Sequence, residues 1–395
     1  MRFAGIIAEY NPFHNGHAWQ LAQARALGAQ TVAVALSSGL VQRGALPLLP
    51  DRVRAEAALR AGADLVFALP APWACSGAEP FARAGVALLA AAGCDTLVFG
   101  AETPNAALLM LAARTLLSAE YTAALKAQLA GPARSFAAAR AAAAEAVCPG
   151  QGLQQLLGRP NDNLAVEYCK AVLQLAPQMG VCPLGRQGAQ HDQSLPADGY
   201  ASASALRQLW LAEGAQALAP YVPANALDIY RTAEVQGLLV DPRAADVALL
   251  SRLRQLAAGD FARIRGVNEG LEYLLEEQVR TAVTAEGLAD ALTGVRYPRA
   301  RMRRLCMDAA LGYTADGLPD LPPYLHLLGA KKGALPLLGQ CSLPAGPSLA
   351  KLARENPACA AAVQAQSRAD ALGTLCRRSA AAMGECFTAP AVLLD

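Results

Sequence analysis

Short, continuous apolar runs recur through the first half of the chain, at Phe3 to Ala8, Thr31 to Leu36, Asp64 to Leu69, Thr96 to Phe99 and Gly180 to Leu184, with segments of helical period between them. Runs without polar alternation predict strands covered on both faces. Helical segments between consecutive strands then predict an α/β fold with a doubly wound parallel sheet. Asp51 to Arg60 reads as a helix with Asp51 as its N-cap and Gly62 as its stop, and Pro80 to Ala92 as another ended by Gly93. Beyond about Ala215 the strand pattern fades. Ala245 to Leu256, Gly270 to Val283, Ala285 to Leu292 and Arg299 to Leu311 read as helices, followed by a Pro/Gly-rich connector with a strand at Leu335 to Leu338 and helices at Leu349 to Ala353 and Ala358 to Ala371. The expected organisation is an α/β domain over 1–215 and a mainly helical domain over 216–395.

In a parallel sheet of this kind, ligands bind beyond the carboxyl ends of the strands. The first such end carries Ile7-Ala8-Glu9-Tyr10-Asn11-Pro12-Phe13-His14-Asn15-Gly16-His17, which holds two of the chain's four histidines. A helix from about Gly16 to Leu27 places both imidazoles by the free amides of a helix N-terminus, where an anion is stabilised by roughly 0.3 to 1 kcal/mol. Two imidazoles add hydrogen bonds aimed at charge developing on phosphate, and Gly16 lets phosphate approach the backbone. The plain alternative for H-x-x-H is a surface or metal pair; the strand before and the alternating pattern after favour the phosphate reading. Other polar clusters fall at Gln42-Arg43-Gly44, Gly100, Arg186 and Pro160 to Tyr168, the last reading as a loop that opens a helix. Ser202, Ser204 and Arg207 offer hydroxyls and a guanidinium to a further anion, with simple helix capping by Ser202 as the alternative.

Composition narrows the partners. A net charge of +2 excludes nucleic-acid binding by bulk charge, so any such surface is local. The local excess lies at Arg296, Arg299, Arg301, Arg303 and Arg304, with Tyr297 among them, and suits an RNA backbone; the alternative is a solvated helix balanced by Glu272, Glu276 and Glu277. Ten scattered cysteines without a C-x-x-C pair read as reduced thiols. No apolar run reaches the roughly 18 residues of a membrane span, so a soluble cytoplasmic protein is expected. The alanine-rich stretch from Phe136 to Glu145 reads as a solvated helix.

These motifs together resemble the bacterial tRNA(Met) cytidine acetate ligases, a branch of the H-x-G-H nucleotidylyltransferase superfamily. Beyond the Gly5 to His17 segment, the resemblance rests on Gln42-Arg43-Gly44, Leu97 to Glu102, Pro160 to Tyr168, His191-Asp192, Ala201 to Arg207 and Gly294 to Arg301. It implies a Rossmann-like sheet of the nucleotidylyltransferase type followed by a helical, tRNA-binding domain. The implied activity is acetate activation by ATP to acetyl-adenylate, then acetyl transfer to the wobble cytidine of elongator tRNA(Met). The implied ATP contacts are Ile7, Ala8, Glu9, Tyr10, Asn11, Pro12, Phe13, His14, Asn15, Gly16, His17, Ala18, Trp19, Gln20, Gly100, Asn163 and Arg186, with His14 and His17 catalytic. Ser202, Ser204 and Arg207 are expected on pyrophosphate, Mg²⁺ is expected with the phosphates, and Arg43 and the arginine segment are expected to meet tRNA. No metal site built by protein residues is expected. Two rivals are a nucleotidylyltransferase acting on a small phosphorylated acceptor and a non-catalytic nucleotide-binding assembly protein.

Overall fold

Five parallel strands in the first half build the sheet at the places the apolar runs mark: β1 (Phe3–Ala8), β2 (Thr31–Ser37), β3 (Leu65–Leu69), β4 (Thr96–Ala101) and β5 (Gly180–Gly185). The computed structural model describes residues 1–131, 135–186, 199–268, 270–294 and 297–395. Burial of alternate residues on opposite faces explains the continuous apolar runs. Ala33 and Ala35 of β2 join one cluster with Phe67, Leu89 and Leu97, while Val32, Val34 and Leu36 join another with Ile6, Leu21 and Val66. The strand order β5-β4-β1-β2-β3 reverses direction at β1, which puts the crevice between the carboxyl ends of β1 and β4.

The second half was expected to be mainly helical, with one strand at Leu335 to Leu338, and it contributes more to the sheet than that. It returns three strands to the sheet: β6 (Leu325–Lys331), β7 (Ala345–Gly346) and β8 (Val392–Leu394). β6 runs antiparallel to β3, so the sheet is mixed rather than wholly parallel. The strand expected at Leu335 to Leu338 is instead part of the 3-10 helix Lys332–Gln340, where Pro336 has no amide to give a ladder. Most of the remainder forms a third, helical cluster around Leu249, Leu275, Leu288 and Leu305, to which the helix Pro357–Leu375 adds Ala365 and Ala369.

Local corrections follow the same logic of packing. The helix Phe136–Val147 is not simply solvated, because Ala139, Ala143 and Ala144 are fully buried. Pro50, not Asp51, caps the helix Asp51–Arg60; the Asp51 carboxylate turns back to Ser38, the Gly39 amide and Arg54. No single helix among the described residues is long and apolar enough to cross a membrane. The bent pair Ala106–Leu116 and Ala119–Ala130 passes by composition but buries Leu109, Ala112 and Leu116 in the core. All ten cysteines are free thiols.

Candidate functional site

His14 and His17 together cap the helix Asn15–Ala26 that follows β1. His14 Nδ1 accepts from the Gly16 amide at 3.1 Å, and His17 Nδ1 accepts from the His14 amide at 3.3 Å. This is a capping box in which imidazoles replace the usual hydroxyl and carboxylate. A ring nitrogen that accepts an amide proton carries none itself, so each neutral ring holds its proton on Nε2. The rings stack with centroids 3.7 Å apart. Burial, then the Arg186 charge, bring His14 down to about 3; burial, His14 and Arg186 hold His17 well below the ordinary imidazole value. The pair is therefore neutral at physiological pH and offers two N–H donors side by side. Gly16 has a second reason to lack a side chain, since a Cβ there would lie 3.0 Å from the His14 ring.

The turn leading to this pair is held from all along the chain. Tyr10 takes a left-handed φ of 46°, and the Asn11–Pro12 bond is cis. The Gln42 amide donates to Glu9 Oε1 at 2.8 Å and the Leu48 amide to Asn11 Oδ1 at 2.8 Å. Arg207 Nη1 donates to the Asn11 carbonyl at 2.7 Å, and Tyr230 Oη to the Phe13 carbonyl at 2.8 Å. Arg54, fully buried, bridges the Glu9 carbonyl, the Ser37 carbonyl at 2.8 Å and Asp51 at 2.6 Å, so it joins the ends of β1 and β2. Nothing in the D-R-V-R pattern distinguished Arg54 from a surface residue. Its role exists only after folding.

Among the other expected ATP contacts, Ile7 and Ala8 end β1, while Asn15, Ala18, Trp19 and Gln20 lie half-buried on the first turns of the helix. Asn15 Nδ2 donates to the Gly199 and Pro220 carbonyls, each at 3.1 Å, and Gln20 Nε2 reaches the Val98 carbonyl at 3.3 Å. Across the crevice, Gly100 in β4 leaves room for Arg186, whose Cγ would stand 3.3 Å from a Cβ at that position. Arg186 Nη1 donates to Asn161, and Asn161 Nδ2 donates to Glu102 Oε1 at 2.5 Å. Asp162 is fully buried and accepts from the Glu102 and Thr103 amides at 2.7 and 2.8 Å. The segment read as a loop is thus helical from Pro160 onward. Asn161 and Asp162, rather than Asn163, tie it to β4; Asn163 Oδ1 faces Arg140 instead.

The remaining predicted residues fall in three places. Ser202 caps the helix Ala203–Glu213 by accepting from the Ala205 amide at 3.2 Å, and its Oγ lies 3.3 Å from that of Ser204. Arg43 is exposed at the tip of a tight turn. That turn presses on the arginine helix: a Cβ at Gly44 would lie 2.5 Å from the Arg304 amide, and Arg304 Nη1 donates to the Gln42 carbonyl at 3.3 Å. Arg299 pairs with Glu286 at 2.9 Å and with Asp290, and Arg303 pairs with Glu286. These replace the expected partners Glu272, Glu276 and Glu277, because the helix Ala285–Leu292 is the one packed alongside. Arg301 donates to the Gly266 carbonyl at 3.1 Å and lies over the Tyr297 ring. Arg296 and His191-Asp192 lie outside the described residues.

The sequence profile of the HIGH Nucleotidyl Transferase family matches residues 1–384. The chain belongs to this family. Relatives include the tRNA(Met) cytidine acetate ligases of Latilactobacillus sakei, 35% identical over 83% of this chain and 82% of that protein, and of Syntrophotalea carbinolica, 35% identical over 86% and 82%. That of Listeria monocytogenes is 33% identical over 84% of both. The crystal structure of Thermotoga maritima TmcAL bound with alpha-thio ATP matches with a TM-score of 0.91 at 25% identity, covering 100% of both chains. The apo form of the same protein gives 0.92. In this chain the histidine pair stands at the β1 end beside the β1/β4 crevice.

Proposed function

We propose that the protein is an ATP-dependent ligase that activates acetate as acetyl-adenylate and transfers the acetyl group to the wobble cytidine of elongator tRNA(Met), forming N4-acetylcytidine. The observation that carries this reading is the stacked His14/His17 pair, whose two Nδ1 atoms are occupied by backbone amides so that both Nε2–H groups serve as donors. In the first step an acetate oxygen attacks the α-phosphorus of ATP, and the bond to the bridging oxygen of pyrophosphate breaks. Acetate is already ionised at neutral pH, so the site needs charge stabilisation more than a general base. His14 and His17 supply hydrogen bonds to the α-phosphoryl oxygens, and Arg186 supplies positive charge across the crevice. In the second step the exocyclic amine of cytidine attacks the acetyl carbon, AMP leaves and the amine loses a proton.

Pyrophosphate is assigned to Ser202, Ser204 and Arg207, in competition with the capping bond of Ser202 and the Arg207 bond to Asn11. Mg²⁺, when bound, would supply charge neutralisation at the ATP phosphates; among the described residues there is no group of three or more His, Cys, Asp or Glu side chains that could hold an ion. The arginine helix adjoins the Gln42-Arg43-Gly44 turn, whose Gln42 amide binds Glu9, so a tRNA lying on Arg43, Arg299, Arg301 and Arg303 reaches the crevice. Exposed ion pairs such as Arg299 with Asp290 are worth about 0 to 1 kcal/mol and can be exchanged for phosphate.

The deciding experiment incubates the enzyme with labelled acetate, ATP and total tRNA and identifies the modified nucleoside by mass spectrometry after digestion. Label in N4-acetylcytidine is the expected result. Acetate-dependent pyrophosphate exchange without any tRNA product would keep the first step and remove the second. Transfer of AMP to a phosphorylated small molecule would support the rival enzyme.

A further inference from the structure

Acetyl transfer, as proposed above, ends with a proton that some group must take. The lone pair of cytidine's exocyclic nitrogen is delocalised into the ring, so the amine is a weak nucleophile and its N–H becomes acidic only as the bond to the acetyl carbon forms. The two imidazoles cannot receive that proton, because each Nδ1 already accepts a backbone amide and each Nε2 carries a hydrogen. The carboxylates at the neighbouring strand ends are engaged as well. Asp51 holds Ser38, Gly39 and Arg54, Glu102 Oε1 accepts from Asn161 Nδ2 at 2.5 Å, and Asp162 is fully buried on the Glu102 and Thr103 amides.

Glu9, one residue past β1, differs from these. It is half-buried, the Gln42 amide donates to its Oε1 at 2.8 Å, and its Oε2 takes no hydrogen bond from the described residues. Ile7 faces the helix Ala78–Ala91, where a Cβ on Gly85 would stand 2.5 Å from Ile7 Cδ1, and residues two apart in an extended chain share a face. Glu9 accordingly lies toward Tyr168, of the helix Pro160–Leu175, and Cys75, which follows the helix Ala71–Ala74. Burial, then the Glu9 charge, push up the Tyr168 phenol; burial, Asp308 and, more weakly, Glu9 push up the Cys75 thiol against Arg265 and Arg304. The third ionisable neighbour is Arg54, from the helix Asp51–Arg60, whose Nη1 is spent on the Glu9 carbonyl.

The bond to Gln42 gives the carboxylate its direction. The same tight turn carries Arg43 at its exposed tip and is seated on the arginine helix through Gly44 and the Gln42 carbonyl. Burial and, past the opposing pull of Glu102, the Arg43 charge hold the Arg186 guanidinium below its ordinary value, so the tip of the turn and the nucleotide side of the crevice lie within electrostatic reach. A cytidine entering past Arg43 therefore passes Glu9 on its way to an adenylate beside Arg186. Building on the acetyl-transfer reading, we propose that Glu9 is the general base of the second step, with Oε2 taking the proton of the exocyclic amine. The amine nitrogen bonds to the acetyl carbon, the bond from that carbon to the AMP phosphate oxygen breaks with its electron pair leaving on AMP, and the amine proton passes to Glu9 and then to water.

Single-turnover transfer of labelled acetyl from preformed enzyme-bound acetyl-adenylate to saturating tRNA, set beside acetate-dependent pyrophosphate exchange, tests the role. Glu9→Gln keeps a carbonyl for the Gln42 amide and removes the base. Transfer should fall by roughly 10² to 10⁴, far more than exchange, with tRNA affinity and urea midpoint near the wild-type values. Wild-type transfer should decline toward acid pH as the carboxyl takes up a proton; that limb should vanish in Glu9→Gln and persist, with a smaller loss of rate, in Glu9→Asp. Equal loss of transfer and exchange would make Glu9 an ATP contact alone, and a loss confined to tRNA affinity would reduce it to a support for the Gln42 turn. Either result, or an acid limb that survives in Glu9→Gln, overturns the base, and a wild-type transfer rate without an acid limb does so with no variant at all. Wild-type enzyme that exchanges pyrophosphate yet acetylates no tRNA overturns the acetyl-transfer reading itself, and this role with it.

Discussion

Residue His17 does two separable things, and two substitutions pull them apart. Its Nδ1 accepts from the His14 amide at 3.3 Å and completes the cap, while its Nε2–H is the proposed donor to the α-phosphoryl group. His17→Asn keeps an acceptor near the Nδ1 position and removes the outer donor. His17→Gln keeps an amide donor near the Nε2 position and removes the inner acceptor. Losing the donor costs about 2.7 to 4 kcal/mol of transition-state stabilisation, or roughly 10² to 10³ in rate, while losing the cap bond costs about 0.5 to 1.5 kcal/mol of stability. The Asn variant should therefore unfold near the wild-type urea midpoint but lose acetate-dependent exchange of pyrophosphate into ATP. The Gln variant should unfold earlier and retain more of the exchange. The pH profile adds a check with a definite sign. An imidazole of ordinary affinity becomes protonated as pH falls through about 6.5, but His14 is held at about 3 and His17 well below its usual value, so both stay neutral. Exchange should then be free of any histidine inflection between roughly pH 5.5 and 8. Wild-type exchange in a folded His17→Asn enzyme, or an inflection near 6.5 that this variant abolishes, would refute the neutral-donor argument.

Replacing Arg54 with Met should lower unfolding free energy by about 3 to 5 kcal/mol, since Asp51 and the Glu9 and Ser37 carbonyls lose a buried partner; a urea midpoint close to wild type would show that the bridge is dispensable. Asn161→Ala should raise the KM for ATP by about tenfold through disordered Arg186 while leaving stability nearly unchanged, and an unaltered KM would detach Arg186 from nucleotide binding. The triple change of Arg299, Arg301 and Arg303 to Ala should spare pyrophosphate exchange and flatten the salt dependence of tRNA binding by about 0.7 to 0.9 in log–log slope per lost phosphate contact; an unchanged slope would confine these arginines to their pairs with Glu286 and Asp290.

Five strands and the helix after β1 were legible because their signals are local. A continuous apolar run needs cover on two faces wherever it is placed, and Gly62 and Gly93, with φ of 119° and 90°, end helices by their own backbone freedom. The His14 to His17 spacing likewise fixes a capping geometry within a single turn. Tertiary structure decided everything that depends on a neighbour distant in sequence. Leu325–Lys331 is a strand because the edge of β3 receives it, and its Pro/Gly-rich surroundings carry no periodic sign of that edge. The arginine helix chose Glu286 and Asp290 over Glu272, Glu276 and Glu277 because ion pairing follows packing, and helix packing is set by side-chain relief rather than by charge order. Arg54, Tyr230 and Arg207 reach the Glu9 to Phe13 turn from positions up to 217 residues away, so the sequence determined which atoms form the histidine cap, while the assembled fold determined how firmly the turn that presents them is held.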